Sequence, residues 1–119
     1  MPTVLVVDDH PTFRRFARQM LEEAGYSVIG EAADGASALA RARELEPEIV
    51  LLDVLLPDAS GLTIARALAE LKRPPAVVLT SSRSARDLGA ALDEAPAEGF
   101  VPKSQLSAAA IVAILRCGG

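Results

Sequence analysis

Acids, hydroxyls and an amine stand where apolar runs of the sequence end. Asp8 and Asp9 follow TVLVV (3–7), and Asp53 follows EIVLL (48–52) with VLLP directly after it. Thr80, Ser81 and Ser82 finish or follow AVVLT (76–80), and Lys103 comes just after the short run Phe100-Val101-Pro102. If the ends of these runs lie side by side, three carboxylates, a hydroxyl and an amine converge. Two unit charges about 4 Å apart repel by roughly 4 kcal/mol at an effective dielectric near 20, so three close pairs cost on the order of 10 kcal/mol. Either some of the acids protonate or a cation joins them. An all-oxygen set with few protein ligands, open to water, suits Mg²⁺ or its analogue Mn²⁺ better than zinc. Lys103 offsets further negative charge, but one ammonium does not replace a divalent ion.

Each residue also has a plain structural reading. An Asp-Asp pair after a strand commonly serves as a turn and helix N-cap. Thr80 can satisfy local backbone, Lys103 can be a solvated surface group, and Phe100 can be ordinary core. Asp53 fits such a reading least, because a turn or cap has no use for the apolar flank on both sides.

The elements that must position these residues follow from periodicity. Runs at 3–7, 27–32, 48–52, 76–80 and 99–102 read as strands, apolar on both faces rather than alternating. Helical spacing follows each run: Phe13 to Ala24, stopped by Gly25; an Ala-rich segment to Leu45 after an Asp34-Gly35 turn; Leu62 to Leu71; Ala85 to Ala95; and Leu106 to Leu115. Five strand-then-helix units imply a doubly wound α/β fold, a five-stranded parallel sheet covered on both faces, as in flavodoxin-like folds. In such sheets ligands bind beyond the C-terminal strand ends. The strand order does not follow from the pattern.

The 119 residues are expected to make one domain, long enough to bury about two-thirds of the unfolded surface. With three Phe, one Tyr and no Trp, the core must be aliphatic. A net charge of −4 argues against direct nucleic-acid binding. The single Cys117 cannot form an internal disulfide, no stretch is long and apolar enough to span a bilayer, and no secretory leader precedes the first strand. A cytoplasmic location, away from membranes, is the expectation.

From VLVVDDH through LLDVLLPDASG and VVLTSS to FVPKS, the chain resembles the CheY-like receiver (phosphoacceptor) domain of two-component response regulators. The DDHP start, AADGASAL and PKS resemble its NarL/FixJ (LuxR-type) branch. The resemblance implies that Asp53 is the phosphoacceptor for a sensor histidine kinase. It implies that Asp9 holds Mg²⁺ directly and Asp8 largely through water, with Asp53 and the carbonyl of Leu55 completing the protein ligands. Lys103 would pair with Asp53 and then with phosphoryl oxygens, and Thr80 would hydrogen-bond one of them. Ser81 matches a position kept small for phosphoryl access. Leu55 and Ser82 match positions that tune phosphoryl lifetime; neither orients a water, so slow self-dephosphorylation is expected, without enzymatic turnover. Thr80 and Phe100 would form the switch, altering the surface of the fourth helix, fifth strand and fifth helix, where a partner or a second protomer would dock. The branch usually carries a C-terminal helix-turn-helix output domain, expected to lie outside these residues.

Rival chemistries fit less well. A haloacid dehalogenase-type phosphatase needs DxDx[TV] after the first strand, where this chain has DDHPT. A flavodoxin-like FMN carrier needs a hydroxyl- and glycine-rich phosphate loop there and flanking aromatics. A receiver used only for interaction or dimerisation, without phosphorylation, remains the alternative.

Overall fold

A computed structural model of the protein describes residues 2–82 and 96–118. Its order is β1 (Thr3–Val7), α1 (Pro11–Glu23), β2 (Ser27–Ala32), α2 (Gly35–Leu45), β3 (Ile49–Asp53), α3 (Gly61–Ala69), β4 (Ala76–Ser81) and β5 (Gly99–Pro102). A single 3₁₀ turn (Lys103–Gln105) and α4 (Ala108–Gly118) follow. All strand pairings are parallel, in the order β2-β1-β3-β4-β5. The chain winds outward from β1 to β2 and then returns to build β3, β4 and β5 on the other side. The switch point therefore falls between the C-terminal ends of β1 and β3.

The apolar runs are explained by two cores. Successive strand residues point to opposite faces. Leu5, Val7, Val50, Leu52, Val77 and Leu79 pack on one face with Ala38 and Ala42 of α2 and Ile64 and Leu68 of α3. Val4, Val6, Ile49, Leu51, Val78 and Val101 pack on the other with Ala17 and Leu21 of α1 and Ile111 of α4. Burying a Val or Leu fully stabilises by roughly 1.5–3 kcal/mol, so both faces hold the sheet in place.

Local signals set the element ends. Pro11 opens α1, and Gly25, at φ +95°, turns the chain out of it. Asp34 and Gly35 do not form a free turn: the Asp34 carboxylate accepts Ser37 N–H at 2.8 Å as the N-cap of α2, and Gly35 is that helix's first residue. Glu46, at φ +48°, ends α2. Ser60 caps α3 through Leu62 N–H, so the helix starts one residue before the expected Leu62 and ends at Ala69. β3 runs one residue later than expected and includes Asp53, held by its pairing with Thr80. The last helix starts at Ala108 rather than Leu106, because residues 103–105 close a 3₁₀ turn. The helix expected over 85–95 lies outside the described residues.

Candidate functional site

Alternation along the strands carries past their ends. Asp8 continues the series Val4, Val6; Asp53 continues Ile49, Leu51; Thr80 continues Val78. All three therefore project on the face covered by α1, and Asp53 and Thr80 are register partners on neighbouring strands. Lys103, two residues beyond Val101, reaches back from the end of β5.

Its ammonium joins the cluster. Lys103 Nζ lies 3.2 Å from Asp53 Oδ2, as a hydrogen bond, and 2.5 Å from Asp8 Oδ2, as a charge contact without hydrogen-bond alignment. It also sits 4.4 Å from the centre of the Phe13 ring, a cation–π contact that fixes it from the α1 side. Asp53 Oδ1 accepts the N–H of Leu55 at 3.1 Å. Asp8 Oδ1 accepts the N–H of His10 at 2.8 Å. The His10 ring closes over the two acids: Nδ1 is 3.2 Å from Asp8 Oδ1 and 3.0 Å from Asp9 Oδ1.

Burial sets the electrostatics. Asp8 and Asp53 are buried, while Asp9 and His10 face solvent. Burial raises the Asp53 pKa, with the Asp8 charge adding to it and the Leu55 N–H and Lys103 opposing it. For Lys103 burial pulls the pKa down, but the Asp8 and Asp53 carboxylates more than offset that, and the net shift is upward. Thr80 is also buried, and its Oγ1 has no hydrogen-bond partner among the described residues. A hydroxyl in that condition costs free energy unless something supplies a partner.

The donor set suits a divalent cation. Asp8, Asp9, His10 and Asp53 each offer one ligand atom, all within 4.8 Å of one another, and three of the four are carboxylate oxygens. The residues thus fit Mg²⁺ or Mn²⁺, with the Lys103 ammonium on Oδ2 of both Asp8 and Asp53.

The loop after β3 is anchored tightly. Val54 N–H donates to the Thr80 carbonyl at 2.9 Å, and Gly61 N–H to the Val54 carbonyl at 2.6 Å. A Cβ on Gly61 would collide with the Asp53 carbonyl oxygen and lie 2.7 Å from Val54 Cα, so glycine is required for this close approach. Asp58 crosses to the start of α2, accepting Gly35 N–H at 2.7 Å and Ala36 N–H at 3.1 Å.

Of the residues singled out from sequence, Asp8, Asp9, Asp53, Thr80 and Lys103 come together. Ser81 is buried beside Thr80, Ser82 is exposed, and Leu55 is exposed with its N–H on Asp53. Phe100 is half-buried against the other layer, the one with α2 and α3. Sequence reasoning missed His10, Phe13, Asp58 and Gly61. His10 directly follows two acids, a run of three donors that could have marked it. Phe13 and Asp58 gave no such sign, because each acts on a group far away in the chain.

Residues 4–116 match the family model described as response regulator receiver domain. The chain is 40% identical over 102 residues to the nitrate/nitrite response regulator protein NarP of Escherichia coli K12, covering 84% of this chain and 47% of NarP. It is 38% identical over 104 residues to a protein-glutamate methylesterase/protein-glutamine glutaminase of Hahella chejuensis, covering 86% of this chain and 30% of that protein. The chain thus spans about half or less of the length of these relatives. Among solved structures it resembles the signal receiver domain of the response regulator NarL from Mycobacterium tuberculosis. That match has a TM-score of 0.87 and 32% identity, covering 98% of this chain and 95% of the other.

Proposed function

The chain belongs to the response regulator receiver family, and from that premise we propose that Asp53 accepts a phosphoryl group from the phosphohistidine of a sensor kinase. The observation that carries this reading is the Lys103 ammonium shared by Asp53 and Asp8 beside the unpartnered Thr80 hydroxyl.

Asp53 Oδ attacks phosphorus, the bond from phosphorus to the histidine nitrogen breaks, and an acyl phosphate forms on the protein. Such transfer rests on positioning and charge neutralisation. A Mg²⁺ ion held by Asp8, Asp9, Asp53 and the Leu55 carbonyl would supply positive charge for the phosphoryl oxygens. Lys103 already contacts Asp53 Oδ2 and neutralises further charge as the phosphoryl group arrives. Thr80 Oγ1 donates to a phosphoryl oxygen and so gains the partner it lacks. Ser81 keeps the approach narrow but open. Leu55 and Ser82 hold no water in line for attack, so the acyl phosphate is long-lived and the domain turns over no substrate.

The output is a population shift favoured by the new Thr80 contact. Phe100 repacks with it, and the surface around β5 and the following helix changes for a partner or a second copy. The similarity to NarP supports a transcriptional output through a DNA-binding unit outside these residues, in the cytoplasm.

The test is to incubate the protein with acetyl phosphate and Mg²⁺ and weigh it intact beside Asp53→Asn. One added phosphoryl group on the wild type and none on the variant is expected. Equal labelling of both overturns the assignment; labelling of neither favours an interaction module.

A further inference from the structure

The proposed metal pocket contains one donor that is not oxygen. His10 Nδ1 lies 3.0 Å from Asp9 Oδ1 and 3.2 Å from Asp8 Oδ1. Ligand atoms at adjacent corners of an octahedron with bonds of about 2.1 Å lie about 3.0 Å apart, so both separations match coordination edges. The backbone already aims the ring: His10 N–H is tied to Asp8 Oδ1 at 2.8 Å, and Pro11 starts α1 immediately afterwards. The His10 side chain does not cap that helix, and its Nδ1 contacts the Asp8 and Asp9 carboxylates instead. The neighbouring acids complete the set: Asp8, Asp9, His10 and Asp53 each place a ligand atom within 4.8 Å of the others, while Asp8 Oδ2 is engaged by Lys103 at 2.5 Å.

Resting on the metal-binding reading above, we propose that His10 Nδ1 is a direct ligand that makes this pocket favour nitrogen-accepting transition ions such as Co²⁺ over Mg²⁺. Mg²⁺ takes oxygen ligands and keeps several waters, so it gains little from an imidazole. Late first-row divalent ions bind imidazole well, and the gain rises from Mn²⁺ toward Cu²⁺. Asp8, Asp9 and Asp53 serve either class of ion; His10 separates them.

The chain contains a single histidine, so any imidazole signal on a bound metal in untagged protein comes from His10. The experiment measures Mg²⁺ and Co²⁺ affinities by calorimetry for wild type and His10→Phe, and records Mn²⁺ electron spin echoes for both. His10 is 69% exposed, so the variant keeps its fold. Removing even outer-shell partners of metal ligands typically costs about 10–100-fold in affinity, so losing a direct ligand should weaken Co²⁺ by at least about tenfold. Mg²⁺ affinity should change by less than about threefold, and ¹⁴N modulation of the Mn²⁺ echo, present in wild type, should vanish in the variant. Equal weakening of both ions, or ¹⁴N modulation absent from wild type, overturns the role of His10 while leaving the Mg²⁺-dependent labelling of Asp53 standing. Failure of wild type to bind either ion overturns both.

Discussion

Replacing Thr80 with Val should make the resting protein more stable, against the usual direction for a buried substitution. Thr80 is 1% exposed and its Oγ1 has no hydrogen-bond partner among the described residues. A buried hydroxyl left unsatisfied costs about 1–3 kcal/mol, and Val has nearly the same shape without that hydroxyl. The variant should gain about 1–2 kcal/mol, and its thermal midpoint should rise by roughly 3–6 °C for each kcal/mol in a domain of this size. Urea unfolding in EDTA, followed by far-UV circular dichroism because the chain has no Trp, measures the change. On labelling with acetyl phosphate the order should invert: wild-type Thr80 gains a hydrogen bond to a charged oxygen, worth about 1.5–3 kcal/mol, and Val gains nothing. A resting variant less stable than wild type by about 1 kcal/mol or more would refute the reasoning, since the hydroxyl must then have a partner in the folded protein.

Lys103→Met should destabilise the metal-free protein by about 3–5 kcal/mol in the same unfolding assay, because it strands two buried carboxylates. At an effective dielectric near 20, the 3.2 Å contact with Asp53 alone is worth roughly 5 kcal/mol of attraction. A loss that does not shrink when Asp53→Asn is added would show that the ammonium does not act on that acid. Asp53 gives a pH signature whose sign follows from its raised pKa. The folded protein keeps that proton after the unfolded chain, with a pKa of 3.8, has lost it; the stability this brings is present below pH 3.8 and is lost as pH rises through the folded value. Metal-free Asp53→Asn should therefore match wild type near pH 3.8 and exceed it at neutral pH; a gap independent of pH would contradict this. Gly61→Ala should cost about 1–3 kcal/mol or more by denaturant unfolding, because the added carbon meets backbone rather than a movable side chain.

Much of the fold was legible because the two-faced burial of a parallel sheet leaves its mark on every strand. Val50, Leu51 and Leu52 in a row have meaning only if both faces are covered. Asp53 stood out for the same reason, as a charge in a stretch with no exposed face. The strand order was not legible, since it is set by which crossover packs best and not by any local residue. His10 and Phe13 were missed because their partners are chosen by tertiary placement: the spacing of α1 is satisfied whether or not Lys103 comes to rest on the Phe13 ring. Gly61 looked like loop composition, yet a backbone collision makes it obligatory. Asp34 shows the converse, where turn and N-cap share one sequence signal and only the following helix decides between them.

Among the described residues the sheet ends at β5, four residues long, paired along one side only and closed by Pro102. The row Asp53, Thr80, Val101 crosses three adjacent strands, each step about 4.8 Å, so the acidic centre lies only about 10 Å from the outer rim. The phosphorylation proposed for Asp53 needs no long mechanical train to be felt outside. Two ladders and one intervening strand separate it from the rim, and among the described residues no strand lies beyond β5 whose bonds must break before it can shift.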